Sequence, residues 1–164
     1  MKLDIGSGQP GWQKMPLDEW THLDIVPHDH VEIVCDFGKI PLDDNSVDEI
    51  WIGDVIEHVP VWRLMEVLGE WRRILKVDGT IGGNTPNPER AMREFSAGNI
   101  GMDELIGALY GNRDKATEIH YITYSKESLT NMFRRYGFDV TDFSESPGDP
   151  SLPWWWRFKG KKVS

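Results

Sequence analysis

Cysteine is all but absent from this 164-residue chain, with Cys35 as the single example. No intrachain disulfide can form, and a zinc site built from several thiolates is excluded. Long apolar runs are lacking too. None approaches the ~20 residues that cross a bilayer. The N-terminus shows no apolar signal region, so the expected location is cytoplasmic and no membrane partner is expected. Positive charge is in deficit: 18 Lys and Arg stand against 27 Asp and Glu, for a net charge of -9. That balance repels a phosphate backbone and argues against a nucleic-acid partner. The basic run at 157–162 reads as the polar end of a strand. The length suits one domain, residues 1–164, with its own core. Tryptophan, by contrast, is abundant, with eight residues. Three are consecutive at 154–156, where they could stack on a sugar or base or, turned to alternate faces of a strand, serve packing.

Apolar runs at 2–5, 21–26, 31–35 and 49–52 read as strands. Residues 59–76 predict the clearest helix, since Val61, Leu64, Leu68, Trp71 and Leu75 recur on one helical face. Asp78-Gly79 signals a turn, followed by a glycine-rich fifth strand at 80–83. Residues 89–110 predict one or two helices broken around 98–101. Residues 111–122 read as an irregular link. Ser125 caps a helix at 126–136, which Gly137 stops. Strands at 138–143 and 154–161 complete the chain, with a loop at 146–153. Strands alternating with helices predict an α/β fold with an open, mostly parallel sheet, whose ligand loops lie at the carboxyl ends of the strands.

Chemistry-bearing residues recur at those ends. Leu3-Asp4-Ile5-Gly6-Ser7-Gly8 is a short strand running into Gly-x-Gly, and Leu23-Asp24-Ile25 ends the next strand on a carboxylate. Glycines let the backbone approach a ligand closely, and a carboxylate one strand later can accept from a ribose diol. Asp36 closes the third strand and Gly53-Asp54 the fourth. His58 stands at the mouth of the fourth strand, as a general base or as a helix-start histidine holding Glu57 or a carbonyl. His120 and Tyr121 are candidates for a lid over a substrate or for ordinary surface polarity. His28-x-His30 lacks a third metal ligand, and no metal is expected.

In order, these words resemble the class I S-adenosylmethionine-dependent methyltransferases. The first motif is Leu3 to Gly8, the second Leu23-Asp24-Ile25, the third Cys35-Asp36-Phe37. Ile40-Pro41-Leu42-Asp43-Asp44-Asn45-Ser46-Val47-Asp48, Gly53 to Val59, Glu70 to Gly79 and Tyr124 to Phe138 are similar to the family's later runs. The likeness covers most of the chain and fits a compact branch with a shortened N-terminal half. It implies a Rossmann-like sheet of seven strands with reduced helices on one face, and S-adenosylmethionine as cofactor. It also implies roles. Gly6, Ser7 and Gly8 wrap the methionine part, with Asp4 steadying the loop or the amino group. Asp24 takes the ribose hydroxyls, with Ile25 against the adenine. Asp36 accepts from the adenine amino group, beside the Phe37 backbone. Gly53 offers its carbonyl to the methionine ammonium, next to Asp54.

The chain departs from the pattern after Gly8, where Gln9-Pro10-Gly11 stands in place of the usual third glycine. The helices that cover one sheet face in the family are absent or stunted. A bare apolar face predicts a cover: a second copy of the chain, its own central segment, or Trp12 and Trp20. The expected reaction is methyl transfer to a small-molecule or glycan acceptor. The rival reading is a non-catalytic module that holds the cofactor or a partner. The acceptor pocket is expected in the variable segment 88–124.

Overall fold

The computed structural model describes residues 1–11, 14–145 and 155–163. The expected 146–153 loop, Trp154 and Trp12 lie outside them. Strands form at Lys2–Ile5 (β1), Thr21–Asp24 (β2), Ile33–Val34 (β3), Val47–Gly53 (β4), Leu75–Pro86 (β5), Phe138–Glu145 (β6) and Trp155–Lys162 (β7). They make one sheet in the order β3-β2-β1-β4-β5-β7-β6. The first five run parallel, and β7 is antiparallel to both neighbours. This is the open, mostly parallel, seven-stranded sheet expected.

Side chains alternate across the sheet with period two, and the sequence uses that alternation fully. Leu3, Ile5, Leu23, Ile50, Ile52, Ile81 and Phe158 point to one face and are buried in a single core. Two helices cover that face. Helix α1 (Leu64–Ile74) buries Leu64, Val67, Leu68, Trp71 and Ile74, which follow the helical repeat. The helix at Lys126–Arg135, α4, buries Leu129 and Phe133. Its N-cap is Ser125, whose hydroxyl accepts from the Ser128 N–H at 3.1 Å, and it ends at Gly137 with φ 83°.

The opposite face takes the interleaved residues, and most of these are polar. Lys2 and Lys159 both approach Glu49, at 4.0 and 3.8 Å. Arg157 stacks over Trp51 at 5.4 Å. Trp20, mostly buried, lines the same groove as Glu49 and Trp51. Of the expected covers, Trp20 is therefore present. Among the described residues, ion pairs and a cation–π contact stand on this face where a bare apolar surface was expected.

Three local expectations are corrected. The 59–76 helix begins later, after single 3-10 turns at Ile56–His58 and Val61–Arg63, with Pro60 held extended between them. A proline ring disfavours helical conformation in the residue before it and removes a donor. The fifth strand is far longer than 80–83, starting directly at Leu75. The Asp78-Gly79 signal is real, with Asp78 at φ 62°, but becomes a bulge: Val47 pairs Leu75 while Glu49 already pairs Thr80. The third strand keeps only two of its five expected residues. The 89–110 segment does break in two, into α2 (Pro88–Ser96) and α3 (Met102–Tyr110), with Gly98 at φ 75° between them.

Candidate active site

β1 runs into Gly6-Ser7-Gly8, where the Gly6 and Ser7 N–H groups both donate to Leu23 O, at 2.8 and 3.2 Å. The turn is left-handed at Gly6 (φ 72°) and again at Gly8 (φ 73°). A Cβ on Gly6 would sit 2.4 Å from Val55 Cγ2, whereas one on Gly11 would meet nothing within 4 Å. Alanine at a left-handed position costs roughly 1–2 kcal/mol. Gly6→Ala should lose that and a further amount for moving Val55, while Gly11→Ala should lose the backbone part alone. Urea unfolding of the two variants measures the difference, and equal costs would show that the Val55 approach does not matter.

Asp24 fastens this loop from β2. Its Oδ2 accepts from the Gly8 N–H and its Oδ1 from the Val26 N–H, both at 2.9 Å. The two loops meet at a cavity of about 520 Å³, in the size range of small-molecule sites. Every residue nominated for the cofactor or as the base lines it: Asp4, Gly6, Ser7, Gly8, Asp24, Ile25, Asp36, Phe37, Gly53, Asp54 and His58; the lid candidates His120 and Tyr121 are not among the lining residues. They come from the carboxyl ends of β1, β2 and β4 and the loop after β3. Residues 115–118, from the segment expected to hold the acceptor pocket, close one side.

The cavity is acidic. Asp4 is buried on the open-face side of β1, with Oδ2 3.1 Å from His22 Nδ1. Burial, then the neighbouring Asp24, push its pKa up to about 7, with Lys14 pulling the other way. Burial also lowers the pKa of His22, so the pair resists becoming an ion pair. Asp54 is raised to about 6, chiefly by burial, against Lys14 and a 2.6 Å hydrogen bond from Asn84 Nδ2. Asp36 behaves differently. Arg63 grips both its oxygens, one of them at 3.0 Å, and these hydrogen bonds hold its carboxyl below the usual range. One oxygen, Oδ1, also accepts from the Gly38 N–H at 2.8 Å, which leaves Oδ2 as the freer acceptor. His58 Nδ1 lies 2.9 Å from the Ile119 carbonyl oxygen. A carbonyl can only accept, so Nδ1 carries the proton and Nε2 the lone pair. Burial lowers the His58 pKa and keeps the ring neutral.

Two cavity residues escape a reading of the sequence, Lys14 and Arg63. Both act at long range, Lys14 on Asp4 and Asp54, Arg63 on Asp36. No local motif marks them. His30, half of the incomplete metal pair, instead reaches Ser7, with Nε2 3.3 Å from Oγ, while its ring stacks on His28 at 6.0 Å.

A methyltransferase-domain family model matches residues 3–82, just under half of the chain. Solved structures match over nearly its whole length. A Burkholderia thailandensis 1,6-didemethyltoxoflavin N1-methyltransferase, solved with S-adenosylhomocysteine, is 13% identical with a TM-score of 0.73, covering 99% of this chain and 71% of that one. The fold is that of the class I S-adenosylmethionine-dependent methyltransferases. A methyltransferase of this class from Thermotoga maritima is 21% identical (TM-score 0.65, 98% and 81% covered). One from Methanosarcina mazei is 12% identical (TM-score 0.64, 99% and 92% covered). No curated protein matches the sequence. In this methyltransferase fold the family match spans β1 to the middle of β5, the half that carries the nominated carboxylates and glycines. Among the described residues no helix is long and apolar enough to cross a membrane.

Proposed function

We propose that this chain is an enzyme that binds S-adenosylmethionine in the acidic cavity and transfers its methyl group to a small-molecule acceptor. One observation carries the reading: a methyltransferase fold brings Gly6 to Gly8, Asp4, Asp24, Asp36 and Asp54 around one cavity of suitable size. The donor set suits this ligand. Its methionine end carries an ammonium and a sulfonium, which an acidic wall favours, and its one carboxylate has a cation to meet in Lys14. Asp24 retains lone pairs beyond its two backbone bonds for the ribose diol. Ile25 and Phe37 offer apolar contact to the adenine, and Asp36 Oδ2, bonded to Arg63 alone, keeps a lone pair for its amino group. Bound there, the cofactor supplies an already activated methyl group, so the protein's work is alignment and exclusion of water. His58 and residues 115–118 stand on the wall where an acceptor would enter. Small-molecule acceptors, a sugar hydroxyl among them, fit the cavity size and the net charge of -9.

Calorimetry with S-adenosylmethionine, S-adenosylhomocysteine and NAD tests this directly. The first two should bind one to one and NAD should not. Failure of both to bind would sink the reading, and tight binding without turnover on any acceptor would favour the non-catalytic module.

The affinity should also depend on pH with a defined sign. Below about 7 Asp4 keeps its proton in the empty site, and a cationic ligand favours the ionised form. Binding must then release that proton, so affinity should rise as pH increases from 5 and level off above 7. The steepest slope is about tenfold per pH unit. Asp54, raised to about 6, adds to the slope below that pH; Asp4→Asn should therefore flatten the curve between about 6 and 7, and an unchanged slope there in that variant would show that another group is responsible.

A further inference from the structure

We propose that Glu57, His58 and His120 bind a divalent transition-metal ion of the zinc type at the acceptor end of the cavity. One ligand atom from each lies within 4.8 Å of the others. Ligands of a tetrahedral zinc ion stand roughly 3.3 Å apart, given bonds of about 2.0–2.1 Å, so side-chain adjustments of about an ångström close the set.

Unsatisfied atoms point to an absent partner. Glu57 is 1% exposed, its Oε2 accepts from the Thr85 hydroxyl at 3.0 Å, and its Oε1 has no partner among the described residues. His120 Nδ1 is likewise buried and unpartnered among them. A buried polar atom without a partner is costly, and here two such atoms belong to the same three-residue cluster as His58. The supports around them suit ligands. His58 Nδ1–H is fixed on Ile119 O, which sets the tautomer that leaves Nε2 available. The Glu57 carbonyl accepts from the Tyr121 N–H at 2.8 Å, and the His120 N–H donates to Tyr110 O at 3.1 Å. The link that carries His120 is thereby tied to the turn that carries the other two. The rings of His58 and His120 meet edge to face at 5.0 Å.

Two imidazoles and one carboxylate favour zinc or a neighbouring first-row ion over magnesium or calcium, which prefer oxygen. Three protein ligands leave a position open, and His58 lines the cavity. On this assignment His58, held on the Ile119 carbonyl as one of its two sequence readings had it, is a ligand and not a base. The consequence for catalysis rests on the proposed methyl transfer. An acceptor hydroxyl on the ion loses its proton to water more readily. Its oxygen lone pair forms the new O–C bond, and the C–S bonding pair stays on sulfur.

The test uses chelator-treated full-length protein, titrated calorimetrically with Zn²⁺ and Mg²⁺, and with Co²⁺ for its visible absorption. One Zn²⁺ or Co²⁺ per chain should bind, Mg²⁺ far more weakly, with a Co²⁺ spectrum of nitrogen and oxygen ligation. His120→Ala and Glu57→Gln should each weaken binding by about 100-fold or more, with S-adenosylmethionine affinity retained in His120→Ala as evidence of folding. His120→Gln serves if the alanine variant does not fold. Absence of stoichiometric binding overturns the proposal, as does binding that survives both substitutions. In the first case Glu57 is simply protonated and shares its proton with an imidazole. Because cofactor affinity is read separately, failure here leaves the methyltransferase reading standing.

Discussion

Asp24→Ala should lower S-adenosylmethionine affinity by about 1–3 kcal/mol, a loss of roughly 5- to 150-fold. The carboxylate has two tasks in the structure. It accepts the Gly8 and Val26 N–H bonds that shape the loops on either side of the cavity, and it presents its remaining lone pairs where a ribose diol would lie. Alanine removes both. An asparagine side chain would keep one acceptor oxygen and offer an amide that cannot accept, so Asp24→Asn should fall between wild type and alanine. Calorimetry gives the affinity, and amide exchange at Gly8 separates the two tasks. Faster exchange with unchanged affinity would leave Asp24 a structural clamp and remove it from the binding site.

The site is legible in the sequence because the residues that build it announce themselves locally. Gly6 and Gly8 carry the left-handed turns that only glycine adopts cheaply. Asp4 and Asp24 sit on the strands where period-two alternation turns them away from the core that Leu3, Ile5 and Leu23 enter. Even two separated family words prove to be one structure. Glu70 accepts from the Ile40 N–H at 2.7 Å, and Arg73 donates to Ile40 O and Leu42 O at 3.0 and 2.8 Å. Helix α1 thus anchors the loop that follows Asp36 and Phe37 on the cavity wall. What stays hidden depends on distance along the chain. Arg63 and Asp36 are 27 residues apart, and nothing at either position names the other. The burial of Glu57 and its meeting with His120 follow from how the 111–122 link folds back, which has no periodic signal. The length of β5 is concealed because a turn dipeptide and a bulge use the same left-handed residue at Asp78.

Helices on one face of a mostly parallel sheet raise a question of solvation for the other. Parallel strands normally bury both faces, and helices on each side exclude water. Here the uncovered face is built from Lys2, Glu49, Trp51, Arg157 and Lys159, with Trp20 laid against it. Charged side chains paired across neighbouring strands replace the missing helical layer. The substitution has a limit, because such exposed pairs contribute only about 0–1 kcal/mol each. Stability must therefore be concentrated on the single face that α1 and α4 cover.

That concentration makes Trp71 the residue whose loss should matter most to folding. It lies in the middle of α1, fully buried against the core face. Trp71→Ala should destabilise the protein by about 3–5 kcal/mol, a large share of the roughly 5–15 kcal/mol typical of a folded domain. Trp71→Phe should cost far less than its lost volume suggests. The indole N–H is buried with no acceptor among the described residues, and removing an unpaired donor returns about 1–3 kcal/mol against the cavity left behind. Thermal and urea unfolding distinguish the two variants. The same helix holds Ile40 and Leu42 through Glu70 and Arg73, and Arg63 just ahead of it grips Asp36. Trp71→Ala should therefore also loosen the cofactor cavity at temperatures where the chain is still folded. A destabilised Trp71→Ala that bound S-adenosylmethionine as tightly as wild type would show that the packed face and the cavity are energetically separate.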